Sequence, residues 1–353
     1  MKLLGTSKAV LAMLKARSSV SSVGGGGLRM LTGQVALVTG ASRGIGKGIA
    51  LQLGKAGATV YITGRTPQQQ EKALTRLLRP PSLDETASEI TARGGKGIAV
   101  YCDHSDEKNV KELFRRIAKE QKEQLDILVN NAYAAVTAIT RSAGSKFYNT
   151  ELSIWDTVNS VGLRNHYICS VFASKLMVPR KRGLIVTVSS SGGLHYLFGT
   201  AYGVGKAACD RLAADMAHEL IEDNVASVSL WPGPVATELV KKTVLAGSGN
   251  RKNTLREIYE TAETTEMAGK CVVALASDPN RLAKTGHILT TTALAREYHL
   301  HEDDGKTQPN DPFCAGHEDF LRQMNEVRAP KHKKGHPLAH VQTRYEAFRN
   351  YHL

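Results

Sequence analysis

Acidic residues are missing from the whole N-terminal fifth of this 353-residue chain: the first is Glu71, and the formal net charge is +13. Such an excess suits an anionic partner, but the basic residues are scattered and no aromatic-basic stripe reads as a nucleic-acid surface, so the charge is read as solvation plus a basic tail. No run of about 18 apolar residues occurs, which excludes a membrane-spanning helix of the usual kind. Cysteine is scarce: Cys102, Cys169, Cys209, Cys271 and Cys314 lie far apart, in no CxxC or zinc spacing. Their odd number argues against a disulfide framework and for reduced core thiols, and no metal site is expected. Charged residues make up only 22% of the chain against 42% hydrophobic, enough apolar material for one domain of about 250 to 280 residues with tails.

The two ends differ from the middle. Residues 1–29 carry Lys2, Lys8, Lys15, Arg17 and Arg29, with Leu3, Leu4, Val10, Leu11 and Leu14 on one side of a helical wheel. The segment reads as a mitochondrial transit-like leader. The alternative is an unstructured leader before Met30, with a cytoplasmic or endoplasmic-reticulum location; "SSVGGGG" (21–27) is a flexible linker in either reading. Residues 305–353 lose apolar periodicity and gather His317, His332, His336 and His340 around "KHKK", the pattern of a solvated basic tail. The terminal "YHL" only faintly resembles a peroxisomal address.

Between the ends, short β-branched runs alternate with helical segments: 35–39, 59–63, 97–101, 126–129, 184–188 and 226–231. This alternation predicts a single doubly wound parallel sheet in an α/β domain over 30–304, with flexible N- and C-terminal extensions. Ligands in such sheets bind beyond the carboxyl ends of the strands. Ser82 with Glu85 after two prolines predicts a capping box, and 66–82 reads as an exposed insertion.

The first strand runs into "TGASRGIGKGIA" (39–50). Gly40, Gly44 and Gly46, with Ser42, Arg43 and Ile45 between them, let backbone approach a pyrophosphate at the N-terminus of the following helix. An NAD site would place an acid at the end of the second strand; "YITGRT" offers Arg65, and Arg43 can approach the same place. Two guanidiniums suit a 2′-phosphate, so NADP(H) is expected over NAD(H). In "TAYGVGKAACD" (200–210), Tyr202 and Lys206 share one face of a helix, one turn apart. A free phenol is a poor acid at neutral pH, and an ammonium beside it favours the phenolate, which makes the phenol a usable proton donor to a carbonyl accepting hydride.

"TGASRGIG", "NNA" at 130–132, the Tyr202-to-Lys206 step and "PG" at 232–233, in this order over residues 30 to about 305, resemble the short-chain dehydrogenases/reductases. The resemblance implies a Rossmann fold, a nicotinamide-dependent carbonyl–alcohol reaction on a small-molecule carbonyl substrate, and a homo-oligomer. Tyr202 would be the general acid or base, and Lys206 would also bind the nicotinamide ribose. A serine at the end of the preceding strand would polarise the carbonyl. Aligning that strand from Gly183 selects Ser190, twelve residues before Tyr202, whereas the commoner family spacing of thirteen selects Ser189; Ser190 is preferred. Asp103 would flank the adenine, Asn130 and Ala132 the ribose, and Pro232, Val235 and Thr237 the nicotinamide half.

Two positions depart from the family pattern. Tyr133 stands where "NNAG" has a glycine, and Gly162 stands where an asparagine serves a water-linked proton relay. On a continuous helix Asn159 and Asn165, three positions away on either side, would lie about 60° around the axis. The segment 237–256 reads as a basic substrate lid. The expected activity is NADPH-dependent carbonyl reduction; the alternative is an NADP(H)-binding scaffold or sensor weakened by Gly162.

Overall fold

The computed structural model describes residues 29–67, 82–142, 144–246 and 254–330. The leader before Arg29, most of the 66–82 insertion, the middle of the expected lid, His332, His336, His340 and the terminal "YHL" lie outside the described residues.

Seven parallel strands form one sheet in the order β3-β2-β1-β4-β5-β6-β7. They are β1 (Val35–Val38), β2 (Thr59–Gly64), β3 (Lys96–Tyr101), β4 (Ile127–Asn130), β5 (Gly183–Val188), β6 (Val225–Trp231) and β7 (Ile288–Thr290). Six match the β-branched runs; the seventh, three residues long, was not expected. The order reverses between β1 and β4, and that switch point opens a crevice at the carboxyl ends of the strands.

Side-chain alternation decides what lies on each face. Ala36 and Val38 point into one core, shared with Ile49 and Leu53 of α1 (Gly44–Lys55), Ile90 of α2 (Leu83–Ala92) and Val272 of a later helix, Met267–Ser277. Val35 and Leu37 point into the other, with Leu113 and Phe114 of α3 (Glu107–Glu120) and Ile168 and Met177 of a helix over Asn165–Met177. Helices thus cover both faces, as near-continuous apolar strands require. Ser82 and Glu85 close the capping box in both directions, at 3.0 and 2.6 Å. All five cysteines are free and buried.

Packing does not stop at 304: a helix over Glu318–Arg328 brings Leu321 against Trp231, Ile288 and Cys314. Its Asn325 donates to the carbonyl of Ile288 at 2.9 Å and accepts from its N–H at 2.8 Å, covering the open edge of β7. Phe320, Leu321, Met324 and Val327 recur there at helical spacing, a signal too short to stand out in a polar segment. No described helix is long and apolar enough to cross a membrane.

Candidate active site

The glycine turn is shaped by close approach. A Cβ on Gly40 would lie 2.7 Å from Ala132 Cα, and one on Gly46 would overlap Asn131 Nδ2 and Gly40 O. Asn131 Nδ2 donates to Thr39 O at 3.0 Å and Gly40 O at 2.9 Å, and Thr39 Oγ1 accepts from the N–H groups of Asn131 and Ala132. Thus β4 is bolted to β1 at the switch point. The Gly44 N–H, at the start of α1, is met by the Glu238 carboxylate at 3.0 Å. An anion already sits at this helix N-terminus, so the turn suits the diphosphate of a dinucleotide, which would have to displace it.

Arg43 precedes α1 in extended backbone, and Ser42 lies 3.5 Å from a Cβ built on Gly64, so the turn abuts the end of β2 where Arg65 follows. Ile45 is half-buried against the core. Burial opposes ionisation of Asp103, but hydrogen bonds from Ser105 and the positive field of Arg65 hold its carboxyl below the ordinary range. Arg65 and Asp103 therefore share one corner of the crevice. The Asn130 side chain is fully buried and donates to Ser170 at 2.9 Å, so contact with a ribose would come from its main chain. The neighbouring Asn131, which the sequence reading passed over, faces the glycine turn instead.

On the other side of the crevice, the helix over Thr200–Leu220 carries Tyr202 and Lys206, both almost fully buried. Lys206 Nζ donates to Val188 O at 3.1 Å and stands 5.9 Å from the centre of the Tyr202 ring. The two serines separate cleanly. Ser189 is buried and donates to Lys206 O at 3.0 Å, anchoring the helix from behind. Ser190 accepts from Gly192 N at 3.1 Å, and a Cβ on Gly192 would lie 3.4 Å from Ser190 Oγ and 2.5 Å from Tyr202 Cε1. Ser190 and Tyr202 adjoin one spot.

Val235 bridges to Glu263, and Thr237 turns its methyl toward Gly44, 3.7 Å from a Cβ built there; Pro232 is half-buried after β6. This loop rests on Glu263, whose Oε2 accepts from Thr291 and whose burial, with Glu302 and Asp311 nearby, pushes its carboxyl up to about 8. Beside Tyr202 opens a cleft lined by Ile139, Phe147, Trp155, Val158 and Phe198. From the segment read as a basic lid, the residue that reaches the glycine turn is an acid, Glu238.

The helical geometry assumed around Gly162 is also corrected. Val161 (φ −118°, ψ 87°) and Gly162 (φ 158°, ψ −19°) break the helix, so the 60° offset does not apply. Asn165 Oδ1 accepts from Gly162 N at 2.7 Å, and Asn159 donates to Trp155 O at 3.0 Å. Asn159 Oδ1 is buried without a hydrogen-bond partner and lines the gap beside Tyr202 and Lys206.

A parallel sheet with a glycine turn at its switch point, facing a tyrosine and lysine one helical turn apart, defines a nicotinamide-dependent oxidoreductase. The profile of the short chain dehydrogenases matches residues 34–246, and the chain belongs to that family. It is 52% identical over 279 residues to mouse "Dehydrogenase/reductase SDR family member 1", covering 78% of this chain and 85% of that protein; the human protein of that name is 50% identical over the same length. "NADPH-dependent aldehyde reductase 2, chloroplastic" of Arabidopsis thaliana is 34% identical over 213 residues, 59% of this chain and 75% of that one. Among solved structures, a short-chain type dehydrogenase/reductase from Mycobacterium marinum superposes with a TM-score of 0.59 at 25% identity, covering 74% of this chain and 95% of that one.

Proposed function

We propose that this protein is an NADPH-dependent carbonyl reductase, running in reverse as an alcohol dehydrogenase. The observation that carries the reading is Tyr202 at the edge of an apolar cleft, with Ser190 beside it across Gly192 and Lys206 one helical turn away. A nicotinamide dinucleotide held between the glycine turn and the 232–237 loop supplies the hydride. Ser190 donates a hydrogen bond to the carbonyl oxygen, and the Tyr202 hydroxyl gives that oxygen its proton as the carbon is reduced. The Lys206 ammonium stabilises the phenolate left behind. Arg43 and Arg65 at the end of β2, with no acid in "YITGRT", favour the 2′-phosphate of NADP(H). The Arabidopsis relative is named for dependence on the same cofactor.

The cleft's aromatic lining suits an apolar carbonyl compound. Tyr167, Val171 and Val204, exposed at 56, 36 and 46% on two adjacent helices, are consistent with a homo-oligomer. The leader before residue 29 is proposed to direct the chain to mitochondria, which N-terminal sequencing of the native protein tests.

Purified protein is expected to oxidise NADPH with members of a carbonyl panel, and Tyr202→Phe to abolish this. Arg65→Asp is expected to move preference toward NADH; an unchanged ratio contradicts the cofactor assignment. A second reading, a cofactor-binding scaffold or sensor, is favoured by the loss of the relay asparagine at Gly162. Tight NADPH binding with no turnover across the panel would establish it instead.

A further inference from the structure

The two departures from the family pattern, separated by 29 positions in sequence, meet in space. A Cβ on Gly162 would lie 2.7 and 2.9 Å from Cδ2 and Cε2 of Tyr133, so no side chain fits there while the ring is in place. The main chains are tied at the same point, Ala134 N donating to Val161 O at 3.1 Å. Lys206 Nζ stands 5.3 Å from the centre of the Tyr133 ring, closer than to the Tyr202 ring. The two tyrosine rings meet edge to face, with centres 6.2 Å apart and planes at 84°.

We propose that Tyr133 and Gly162 are one exchanged pair, in which the Tyr133 ring occupies the volume of the family's asparagine side chain and positions Lys206 and Tyr202. Tyr133 is a positioning residue, acting through its ring. The inference rests on Lys206 and Tyr202 being the reacting pair proposed above. An ammonium over an aromatic face is held electrostatically, most strongly where water is excluded, and an edge-to-face contact fixes the second ring. The gap left among Tyr133, Asn159, Gly162, Tyr202 and Lys206 is narrow, about 150 Å³ in all and nowhere wide enough for a water molecule as packed. A water-linked relay through position 162 is therefore closed off. Nor can Tyr133 serve as a second acid: its hydroxyl is buried without a hydrogen-bond partner, and burial pushes its ionisation far up.

The test uses the full chain with Tyr133→Phe, Tyr133→Leu, Gly162→Asn and the double change Tyr133→Gly with Gly162→Asn. NADPH affinity from its fluorescence, Tm, and kcat with its pH profile are measured for each. Tyr133→Leu, which loses the ring, is expected to weaken NADPH binding or lower kcat about tenfold and to shift the pH profile, with KM little changed. Tyr133→Phe, which keeps the ring, should restore those values to within about threefold of the parent. Gly162→Asn alone should lose Tm and more than tenfold in kcat, and the double change should recover most of that loss. Equal behaviour of the Leu and Phe variants, or a double variant no better than Gly162→Asn, overturns the proposal. If the parent turns over no carbonyl, the functional reading fails by itself. The pairing is then decided by the Tm and NADPH titrations of the same four variants.

Discussion

Gly46→Ala measures how tightly the glycine turn is bolted to β4. The added methyl would overlap both Asn131 Nδ2 and Gly40 O, the donor and acceptor of a 2.9 Å hydrogen bond. Relief requires Asn131 to swing away, which also breaks its 3.0 Å bond to Thr39 O, or α1 to shift off the sheet. Two partly buried hydrogen bonds are worth about 1 kcal/mol each, and overpacking costs about 1–3 kcal/mol. Alanine returns something under 1 kcal/mol through helix propensity, leaving a net loss of about 3 kcal/mol. For a domain of this size that lowers Tm by about 5 °C. Gly44→Ala is the control: at φ +57° it strains the backbone by about 1–2 kcal/mol, but its Cβ meets nothing nearer than 3.7 Å. Urea and thermal unfolding of both variants, and of Gly46→Ala in an Asn131→Ala background, read the effect. If Gly46→Ala melts within 2 °C of the parent, or costs as much without the Asn131 amide as with it, the account of the switch point is wrong.

Three further expectations follow from contacts that cross the fold. Glu238→Gln removes the anion facing Gly44 N–H, so NADPH affinity should rise about two- to fivefold in a fluorescence titration; weaker binding would mean the carboxylate does not compete. Burial pushes the Asp210 carboxyl up to about 6 although it accepts from Ser229 and Trp231. The folded state therefore holds that proton more firmly than the unfolded one, and stability from this group is present below about pH 4 and lost as pH rises to about 6. Asp210→Asn should cancel roughly 3 kcal/mol of that decline, seen as a pH-dependent difference in urea midpoints between variant and parent; parallel curves would contradict it. Leu321→Ala should cost about 2–4 kcal/mol of unfolding free energy, whereas a loosely attached tail would show under about 0.5.

Local chemistry was readable and distant pairing was not. Six strands were visible because both faces of a buried parallel strand must be apolar, and the glycine turn because its residues are consecutive. β7 escaped because only Ile288–Thr290 pair, and their edge is closed by an asparagine 37 residues later. Asn130 was read as facing the ribose by its motif, yet in a strand successive side chains face opposite ways, and the one that reaches the turn is Asn131. Glu238 meets Gly44 across 194 positions, with no spacing to announce it. Ser189 and Ser190 could not be told apart by spacing, yet as adjacent residues in extended backbone they point to opposite sides, one toward Lys206 O and one toward Tyr202.

Tyr133 and Gly162 show where such reading stops. Taken separately, a bulky residue in the "NNA" turn suggests a narrowed substrate cleft, and a missing asparagine suggests a weakened enzyme. Together they conserve volume: one side chain is removed and another fills its place from the opposite wall, as close packing demands wherever a void would otherwise open under a buried ammonium. Packing alone would be met by any apolar side chain of that size; an aromatic face directed at Lys206 adds an electrostatic hold on the ammonium. The ring, rather than the refilled volume, is therefore the argument for retained chemistry, with the lysine held by its face and the Tyr202 phenolate re-protonated after reduction by a route other than position 162.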